Sequence, residues 1–176
     1  MTEAAIFLDR DGVINTDSGY VSHWDDFEFM PRAIQAMRFF SDKGYLLVVV
    51  TNQSGIGRGY YTESDFYVLT ELMRDHLSRE GVDLSGVYFC PHHTEATIAE
   101  YRMACDCRKP EPGMLLRAAQ ELNIDLSRSV MVGDKSSDMI AAQRAGITQR
   151  FHVTDTGGDK GCVAVLDLAE VCDYLK

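Results

Sequence analysis

The sequence lacks a long hydrophobic stretch. Its longest aliphatic run, Leu46 to Val50, is far shorter than the about 20 apolar residues that cross a bilayer. The first residues also lack the charged segment, apolar core and cleavage site of a secretory signal. From these two absences we expect a cytoplasmic protein with no membrane partner.

Basic residues are scarce relative to acidic ones. The chain has 17 Lys and Arg against 27 Asp and Glu, which gives a formal net charge of -10 at pH 7. Such a charge repels nucleic acid, so we expect no nucleic-acid partner. It would also repel an anionic phosphate ester, so a site for that kind of substrate must carry its own cations.

Cysteines are few and odd in number: Cys90, Cys105, Cys107, Cys162 and Cys172. An odd count without a secretory signal argues against a disulfide framework. Cys105 and Cys107 are too close in sequence to bridge each other easily, and metal ligation is the better interpretation. The last two cysteines are expected to be small core residues.

No repeat, low-complexity tract or linker interrupts the 176 residues, so we expect one domain over 1–176. Apolar runs at 4–8, 45–50, 87–90, 129–132, 148–153 and 163–166 predict strands. Helical spacing predicts helices at 31–43, 62–80, from 112, at 137–145 and at 167–175. This alternation predicts an α/β fold, a doubly wound, mainly parallel sheet with helices on both faces. A Gly-rich loop at 53–61 and a loop of about 20 residues after Cys90 remain, and a loop that long usually has a function.

Polar side chains directly follow three of the predicted strands. Asp9, Thr51 and Asp134 each come at the end of an apolar run. Because ligands of parallel sheets bind outside the carboxyl ends of the strands, we expect these three residues to meet at one edge.

Asp9 and Asp11 are two carboxylates leaving the first strand, with Gly12 behind them for a sharp turn. One carboxylate can attack phosphorus as a nucleophile, while the other donates a proton to the leaving oxygen and then activates water. An ordinary Asp-Gly turn is the alternative reading of the same residues.

The second strand ends in Thr51, Asn52, Gln53 and Ser54, whose hydroxyl and backbone N–H groups can hold phosphoryl oxygens. A polar strand end without function is the alternative. The glycines at 55, 57 and 59 do not have G-x-G-x-x-G spacing, so a dinucleotide site is not favoured.

Two basic segments could supply the cations that the site needs. Lys109 would neutralise charge developing on the phosphoryl group, and Arg108 could hold a second phosphate bidentately. A solvated basic pair is the alternative. Asp134 would give Mg²⁺ a hard oxygen ligand together with Asp9, and Lys135 could touch substrate phosphate. Asp138 could equally be only a helix cap.

Cys90, His92, Cys105 and Cys107 form a complete tetrahedral set for zinc. A closed Cys₃His site is structural, so the metal would pin the long loop and place Arg108 and Lys109. His93 is a possible substitute for His92, and scattered free cysteines are the alternative to a metal site.

In this order, the four acidic, hydroxyl and basic motifs resemble the haloacid dehalogenase superfamily of phosphohydrolases over essentially the whole chain. The resemblance implies that Asp9 is the nucleophile and Asp11 the general acid/base, and that Thr51 and Lys109 stabilise the phosphoryl group. It also implies Mg²⁺ held by Asp9, Asp134 and the backbone carbonyl of Asp11. No insertion is large enough for a lid domain, so a capless member is expected.

The string Cys-Pro-His-His followed by Cys-Asp-Cys-Arg-Lys-Pro is similar to that of the bacterial heptose-bisphosphate phosphatases within this superfamily. That likeness implies hydrolysis of the C7 phosphate of D-glycero-D-manno-heptose 1,7-bisphosphate, for lipopolysaccharide or related glycans. It also implies a monomer. It implies a substrate site that includes Asp17, Ser18, Gly19, Tyr20 and Arg108. Histidinol-phosphate phosphatases, which have a shorter loop between the halves of the cluster, are the alternative. A non-catalytic binding protein and a phosphotransferase remain two other classes.

Overall fold

A computed structural model describes residues 1–176 and contains one six-stranded sheet. The strands are β1 (Ala5–Leu8), β2 (Leu46–Asn52), β3 (Gly86–Cys90), β4 (Val130–Gly133), β5 (Gln149–Val153) and β6 (Val163–Val165). All neighbouring strands are parallel, in the order β3-β2-β1-β4-β5-β6. The order reverses at β1, which therefore marks the position where a ligand crevice forms.

Helices connect the first five strands in succession, whereas β5 runs to β6 without a helix and the last helix follows β6. The helices are α1 (Ala33–Asp42), α2 (Ser54–Gly57), α3 (Glu63–Arg79), α4 (Gly113–Glu121), α5 (Ser136–Ala145) and α6 (Leu168–Val171), and a 3₁₀ turn at Cys172–Tyr174 follows the last one. The prediction of one helix over 167–175 was therefore too simple, because the final turn tightens to 3₁₀ geometry.

Two apolar clusters cover the two faces of the sheet. Alternate residues of β1 divide between them: Ile6 and Leu8 pack in one cluster with α1, whereas Phe7 packs in the other with α4 and α5. The central strands β1 and β2 are thus buried on both sides, which explains why their sequences are continuous apolar runs.

The predicted α/β fold, with a mainly parallel sheet and no lid domain, is confirmed by this architecture. One short element was missed. The Gly-rich segment expected to be a loop contains the single-turn helix α2, which has too few residues for a periodic pattern. None of the helices is both long and apolar enough to cross a membrane.

Candidate active site

The carboxyl ends of β1, β2 and β4 form one edge because Leu8 is in register with both Val49 and Val132. A cleft of about 560 Å³ opens at this edge. It is lined mainly by polar residues: Asp9, Asp11, Asp17, Gly19, Tyr20, Asn52, Gln53, Ser54, Tyr61, Arg108, Lys109, Pro110, Lys135, Ser137 and Asp138. The sheet therefore brings together residues that are more than 120 positions apart in the chain.

Lys109 is a buried cation between two carboxylates. Its Nζ lies 3.0 Å from Asp9 Oδ1 and 2.6 Å from Asp138 Oδ1, and it donates to the carbonyl of Val50 at 2.8 Å. The ammonium group therefore uses all three of its donors within the protein. The side chain of Lys109 is 3% exposed, so these contacts are little screened by solvent.

Burial and these contacts shift the pKa values of the charged groups around Lys109. Burial raises the pKa of Asp9 well above its ordinary value, Asp138 raises it further, and Lys109 opposes them. Burial also raises the pKa of Asp134. Burial opposes the charge of Lys109, but the carboxylates of Asp138 and Asp9 outweigh it and raise the lysine pKa. The site therefore carries more negative charge than its one buried lysine balances.

Asp9 and Asp134 have the donor chemistry for a hard divalent cation. Carboxylate oxygens of Asp9, Asp134 and Asp138 lie within 4.8 Å of one another. Asp134 Oδ1 is buried without a hydrogen-bond partner, as expected of an oxygen reserved for a ligand. A Cβ at Gly12, where φ is +87°, would lie 2.2 Å from Asp134 Oδ2, so only glycine leaves room for this carboxylate. These residues fit Mg²⁺.

Asp11 is held on both carboxylate oxygens. Its Oδ1 accepts from Arg10 Nε at 3.2 Å, Arg10 Nη2 at 3.0 Å and Asn15 Nδ2 at 2.9 Å. Its Oδ2 accepts from Gln53 Nε2 at 3.3 Å. Arg10 is 1% exposed, and Phe27 packs near its guanidinium group. The carboxylate is therefore oriented by neighbours that cannot easily move.

The end of β2 is tied to the loop that carries Lys109. Asn52 Nδ2 donates to the carbonyl of Lys109 at 3.1 Å, and the backbone N–H of Lys109 donates to Asn52 Oδ1 at 3.0 Å. Thr51 is 1% exposed, and its Oγ1 accepts from Gln53 at 2.9 Å. Both polar atoms of the Asn52 amide are thus used within the protein, and its role in substrate binding stays a prediction.

The outer rim of the cleft carries the cations expected to meet substrate phosphates. Lys135 Nζ lies 3.8 Å from Asp17 Oδ2 and 3.7 Å from Asp134 Oδ2, with its side chain 59% exposed. Arg108 also lines the cleft, as do Gly19 and Tyr20 of the predicted 17–20 segment. Ser18 does not line the cleft in this structure, and its role stays a prediction.

The predicted zinc ligands cluster at the end of β3. Ligand atoms of Cys90, His92, Cys105 and Cys107 lie within 4.8 Å of one another. The separations include 3.6 Å for Cys90 Sγ to Cys105 Sγ and 3.3 Å for His92 Nδ1 to Cys107 Sγ. Zinc–ligand bond lengths in tetrahedral geometry require edges of roughly 3.5 to 3.8 Å. These two separations approach that size, whereas Cys90 Sγ and Cys107 Sγ lie closer together, at 2.9 Å.

The partner of Nδ1 distinguishes the two candidate histidines. His92 Nδ1 points to the sulfurs, whereas His93 Nδ1 accepts from the backbone N–H of Glu95 at 2.9 Å. Hydrogen bonding from Cys90 lowers the pKa of Cys107 to about 5, so one thiolate forms readily. Thiolate is the form that binds metal.

The cluster directly supports the cationic side of the cleft. The backbone N–H of Arg108 donates to Cys105 Sγ at 3.3 Å, and Arg108 Nη1 donates to the carbonyl of His92 at 3.4 Å. Lys109 is the next residue. A metal that fixes the three cysteines would therefore also fix the point from which these two cations reach the cleft.

Sequence reasoning missed or left open several residues of the site, among them Asp138, Arg10 and Asn15. Asp138 does cap α5, since its Oδ2 accepts from the backbone N–H of Lys135 at 3.1 Å, but it also pairs with Lys109. Arg10 and Asn15 hold Asp11. The only sequence signal for them is their closeness to Asp11, which does not by itself indicate contact.

Known proteins resemble this chain over almost its whole length. A family model described as HAD-hydrolase-like matches residues 106–160. A D-glycero-β-D-manno-heptose-1,7-bisphosphate 7-phosphatase from Vibrio cholerae is 46% identical, over 99% of this chain and 97% of the relative. The chain belongs to the heptose-bisphosphate phosphatase family of the haloacid dehalogenase superfamily. A family member of the same description from Yersinia pestis is 56% identical over 85% of this chain and 79% of its own.

The fold comparison agrees with this family. The crystal structure of D,D-heptose 1,7-bisphosphate phosphatase from B. bronchiseptica, complexed with magnesium and phosphate, superposes with a TM-score of 0.86. It is 31% identical, with coverage of 98% of this chain and 97% of that one. The resemblance expected from the motifs is therefore confirmed.

Proposed function

We propose that this chain removes the C7 phosphate of D-glycero-β-D-manno-heptose 1,7-bisphosphate. The observation that carries the proposal is the arrangement of Asp9, Asp134 and Lys109 at one edge of the sheet, in a chain whose curated relatives bear that activity in their names. The β anomer is taken from the relatives' names. The product would serve heptose precursor synthesis for lipopolysaccharide or a related glycan.

Asp9 is the proposed nucleophile. Its carboxylate attacks the phosphorus of the C7 phosphate, the bond from phosphorus to the sugar oxygen breaks, and an aspartyl phosphate forms. Asp11 gives a proton to the departing sugar oxygen, then takes one from the water that hydrolyses the intermediate. Thr51 and Lys109 stabilise the negative phosphoryl oxygens during both steps.

The remaining cleft residues are proposed to bind the substrate. Arg108 and Lys135 supply the positive charge that an acidic protein needs in order to attract a bisphosphate. The other contacts are proposed for the segment after β1 and the end of β2, namely Asp17, Ser18, Gly19, Tyr20, Asn52, Gln53 and Ser54.

We further propose two metals. Asp9, Asp134 and the backbone carbonyl of Asp11 would hold Mg²⁺, which when bound supplies positive charge to the transferring phosphoryl group. Cys90, His92, Cys105 and Cys107 would hold structural zinc, with no open position for catalysis. The orphaned Asp134 oxygen and the compact thiol cluster support these two assignments.

The proposed unit is one phosphatase domain over residues 1–176, with its zinc-binding loop at about 90–107. Support comes from the single sheet, to which every strand belongs. Reduced thiols at all five cysteines suit a cytoplasmic protein. We propose that it acts as a monomer on a small sugar phosphate, without nucleic acid or membrane.

The test is Mg²⁺-dependent phosphate release from heptose 1,7-bisphosphate and from histidinol phosphate under identical conditions. We expect kcat/KM to favour the bisphosphate by about a hundredfold or more, equivalent to about 2.7 kcal/mol of transition-state discrimination. A preference for histidinol phosphate would contradict the proposed substrate and leave the mechanism standing. Transfer to an added sugar alcohol would identify a phosphotransferase instead.

A further inference from the structure

Two buried polar side chains in the wall of the cleft, Gln53 and Tyr61, are joined by a series of hydrogen bonds. Gln53 is 2% exposed and Tyr61 is 6% exposed. The hydroxyl of Tyr61 donates to Gln53 Oε1. Gln53 Nε2 donates to Thr51 Oγ1 at 2.9 Å and to Asp11 Oδ2 at 3.3 Å. Each polar atom of the Gln53 amide is therefore engaged by the protein.

These hydrogen bonds run in one direction, from Tyr61 to Gln53 and from Gln53 to Asp11. Burial raises the pKa of Tyr61 to about 12, so its hydroxyl keeps its proton and can donate to the amide oxygen at neutral pH. That bond orients the amide with Nε2 toward Asp11. In the reversed orientation, Gln53 Oε1 would face the Asp11 carboxylate, and two acceptors would meet with no hydrogen between them.

The ring of Tyr61 is fixed by its packing. A Cβ at Gly55 would lie 2.3 Å from Tyr61 Cε1, so the ring occupies space that a side chain at 55 would fill. The ring also packs in a small apolar cluster with Ile56 and Phe66. The hydroxyl of Tyr61 is thus presented to Gln53 from a fixed position.

We propose that Gln53 and Tyr61 are positioning residues for Asp11. The two oxygens of Asp11 are held separately: Arg10 and Asn15 bind Oδ1, and Gln53 binds Oδ2. The hydroxyl of Tyr61 bonds to Gln53 and not to Asp11, and it acts by fixing the amide that aims Oδ2 at the leaving oxygen. This inference rests on the proposed function, in which Asp11 is the general acid.

Tyr61→Phe removes the hydroxyl and keeps the ring. Its effect should depend on whether the leaving group needs a proton. The C7 oxygen of heptose 1,7-bisphosphate needs one, whereas nitrophenolate from p-nitrophenyl phosphate departs as a stable anion. The measurement is kcat/KM on both substrates, because this constant reports only the steps up to departure of the leaving group and not hydrolysis of the aspartyl phosphate.

We expect the ratio of kcat/KM, bisphosphate over p-nitrophenyl phosphate, to fall about tenfold in Tyr61→Phe, a part of the about 10²–10⁴ that general acid catalysis contributes. Tyr67→Phe is the matched control, since Tyr67 is 52% exposed and lies outside the cleft, and its ratio should equal that of wild type. An unchanged ratio in Tyr61→Phe, with or without an equal loss on both substrates, would overturn the inference. The wild-type rates alone test the proposed substrate, so the two failures are distinguishable.

Gln53→Met provides a second test that does not depend on Tyr61. It should lower the same ratio at least as much as Tyr61→Phe does. The double variant should lose no more than Gln53→Met alone, within about twofold, because Tyr61 acts only through the amide. Losses that multiply in the double variant would show that the residues act independently and would overturn the inference.

Discussion

At the scale of single residues, Lys109 links the cysteine cluster to the carboxylates of the cleft. It follows the cysteine cluster in sequence, and its ammonium reaches Asp9 at the end of β1 and Asp138 in α5. Burying a cation is costly unless it is paired and hydrogen-bonded, and here every donor has an acceptor. The position of Lys109 therefore depends on groups from three separate parts of the chain.

Asp9→Asn should abolish turnover while the protein stays folded, because the two side chains have nearly the same shape. Loss of the attacking carboxylate removes the covalent step, and steady-state phosphate release should fall below about a hundredth of wild type. Asp83→Asn, at an exposed position, is the matched control and should keep full activity. A higher residual rate in Asp9→Asn would refute its role as nucleophile.

Asp138→Ala should reduce stability as well as activity. It removes one of the two ion pairs of Lys109 in a buried site, and loss of a hydrogen bond to a charged group costs about 1.5 to 3 kcal/mol. Urea unfolding measures the loss. Glu121→Gln breaks the exposed pair with Arg117 and should give no resolvable change. Equal midpoints for wild type and Asp138→Ala would contradict this account.

Site residues could be predicted from the sequence where a polar side chain directly follows an apolar strand. Asp9, Thr51 and Asp134 could be located because the register of parallel strands requires their convergence. The pairing of Asp138 with Lys109 could not be predicted, since the two are far apart in sequence and a capping role explained Asp138 equally well. The Gln53–Tyr61 hydrogen bond could not be predicted either, because it depends on how the side chains pack.

At the scale of elements, helix α3 shows how local signals fix a boundary. Thr62 Oγ1 accepts from the backbone N–H of Asp65 at 3.1 Å, and Asp65 Oδ2 accepts from the backbone N–H of Thr62 at 2.9 Å. A Thr followed three residues later by an acidic residue is the sequence signature of a capping box, and the structure forms one here. Helix α2, with four residues, has no such signal.

Thr62→Ala should lower stability by about 1 kcal/mol, since it leaves one N–H of α3 without its acceptor. For a protein of this size the melting temperature should fall by about 2–4 °C. Ser64→Ala, in the exposed first turn of the same helix, is the control and should change it less. Equal melting temperatures for Thr62→Ala and wild type would show that the cap contributes nothing.

The same cap predicts a dependence on pH. Hydrogen bonds from the backbone and side chain of Thr62 lower the pKa of Asp65 below 3.8. Stabilisation by ionised Asp65 is therefore present above 3.8 and is lost as the pH falls through the folded-state pKa. Asp65→Asn should destabilise the protein at pH 7, and thermal melts should show the difference shrinking below pH 3.8.

At the scale of the whole molecule, the cysteine cluster connects the edge of the sheet to its centre. Cys90 is the last residue of β3, the edge strand, while the loop after Cys107 reaches Asp9 on the central strand. The spacing of cysteines predicted the cluster, but the bond from Arg108 to Cys105 became visible only in three dimensions.

Cys107→Ser should release zinc and reduce activity together, because the cluster fixes the loop that carries Lys109. Metal analysis and phosphate release measure the two effects. Cys162→Ser removes a cysteine outside the cluster and should retain both metal and activity. Stoichiometric zinc with unchanged activity in Cys107→Ser would refute the structural role of the cluster.

In a parallel sheet the amino ends of the strands lie opposite the cleft, and this end of the molecule has no proposed role in catalysis. Segments 43–45, 80–85, 122–129 and 146–148 lead from α1, α3, α4 and α5 to the amino ends of β2, β3, β4 and β5, opposite the cleft. None of these connections contains a proposed catalytic, substrate or metal residue. A peptide tag inserted there, or attachment to a solid support through that end, would leave the entrance to the cleft open.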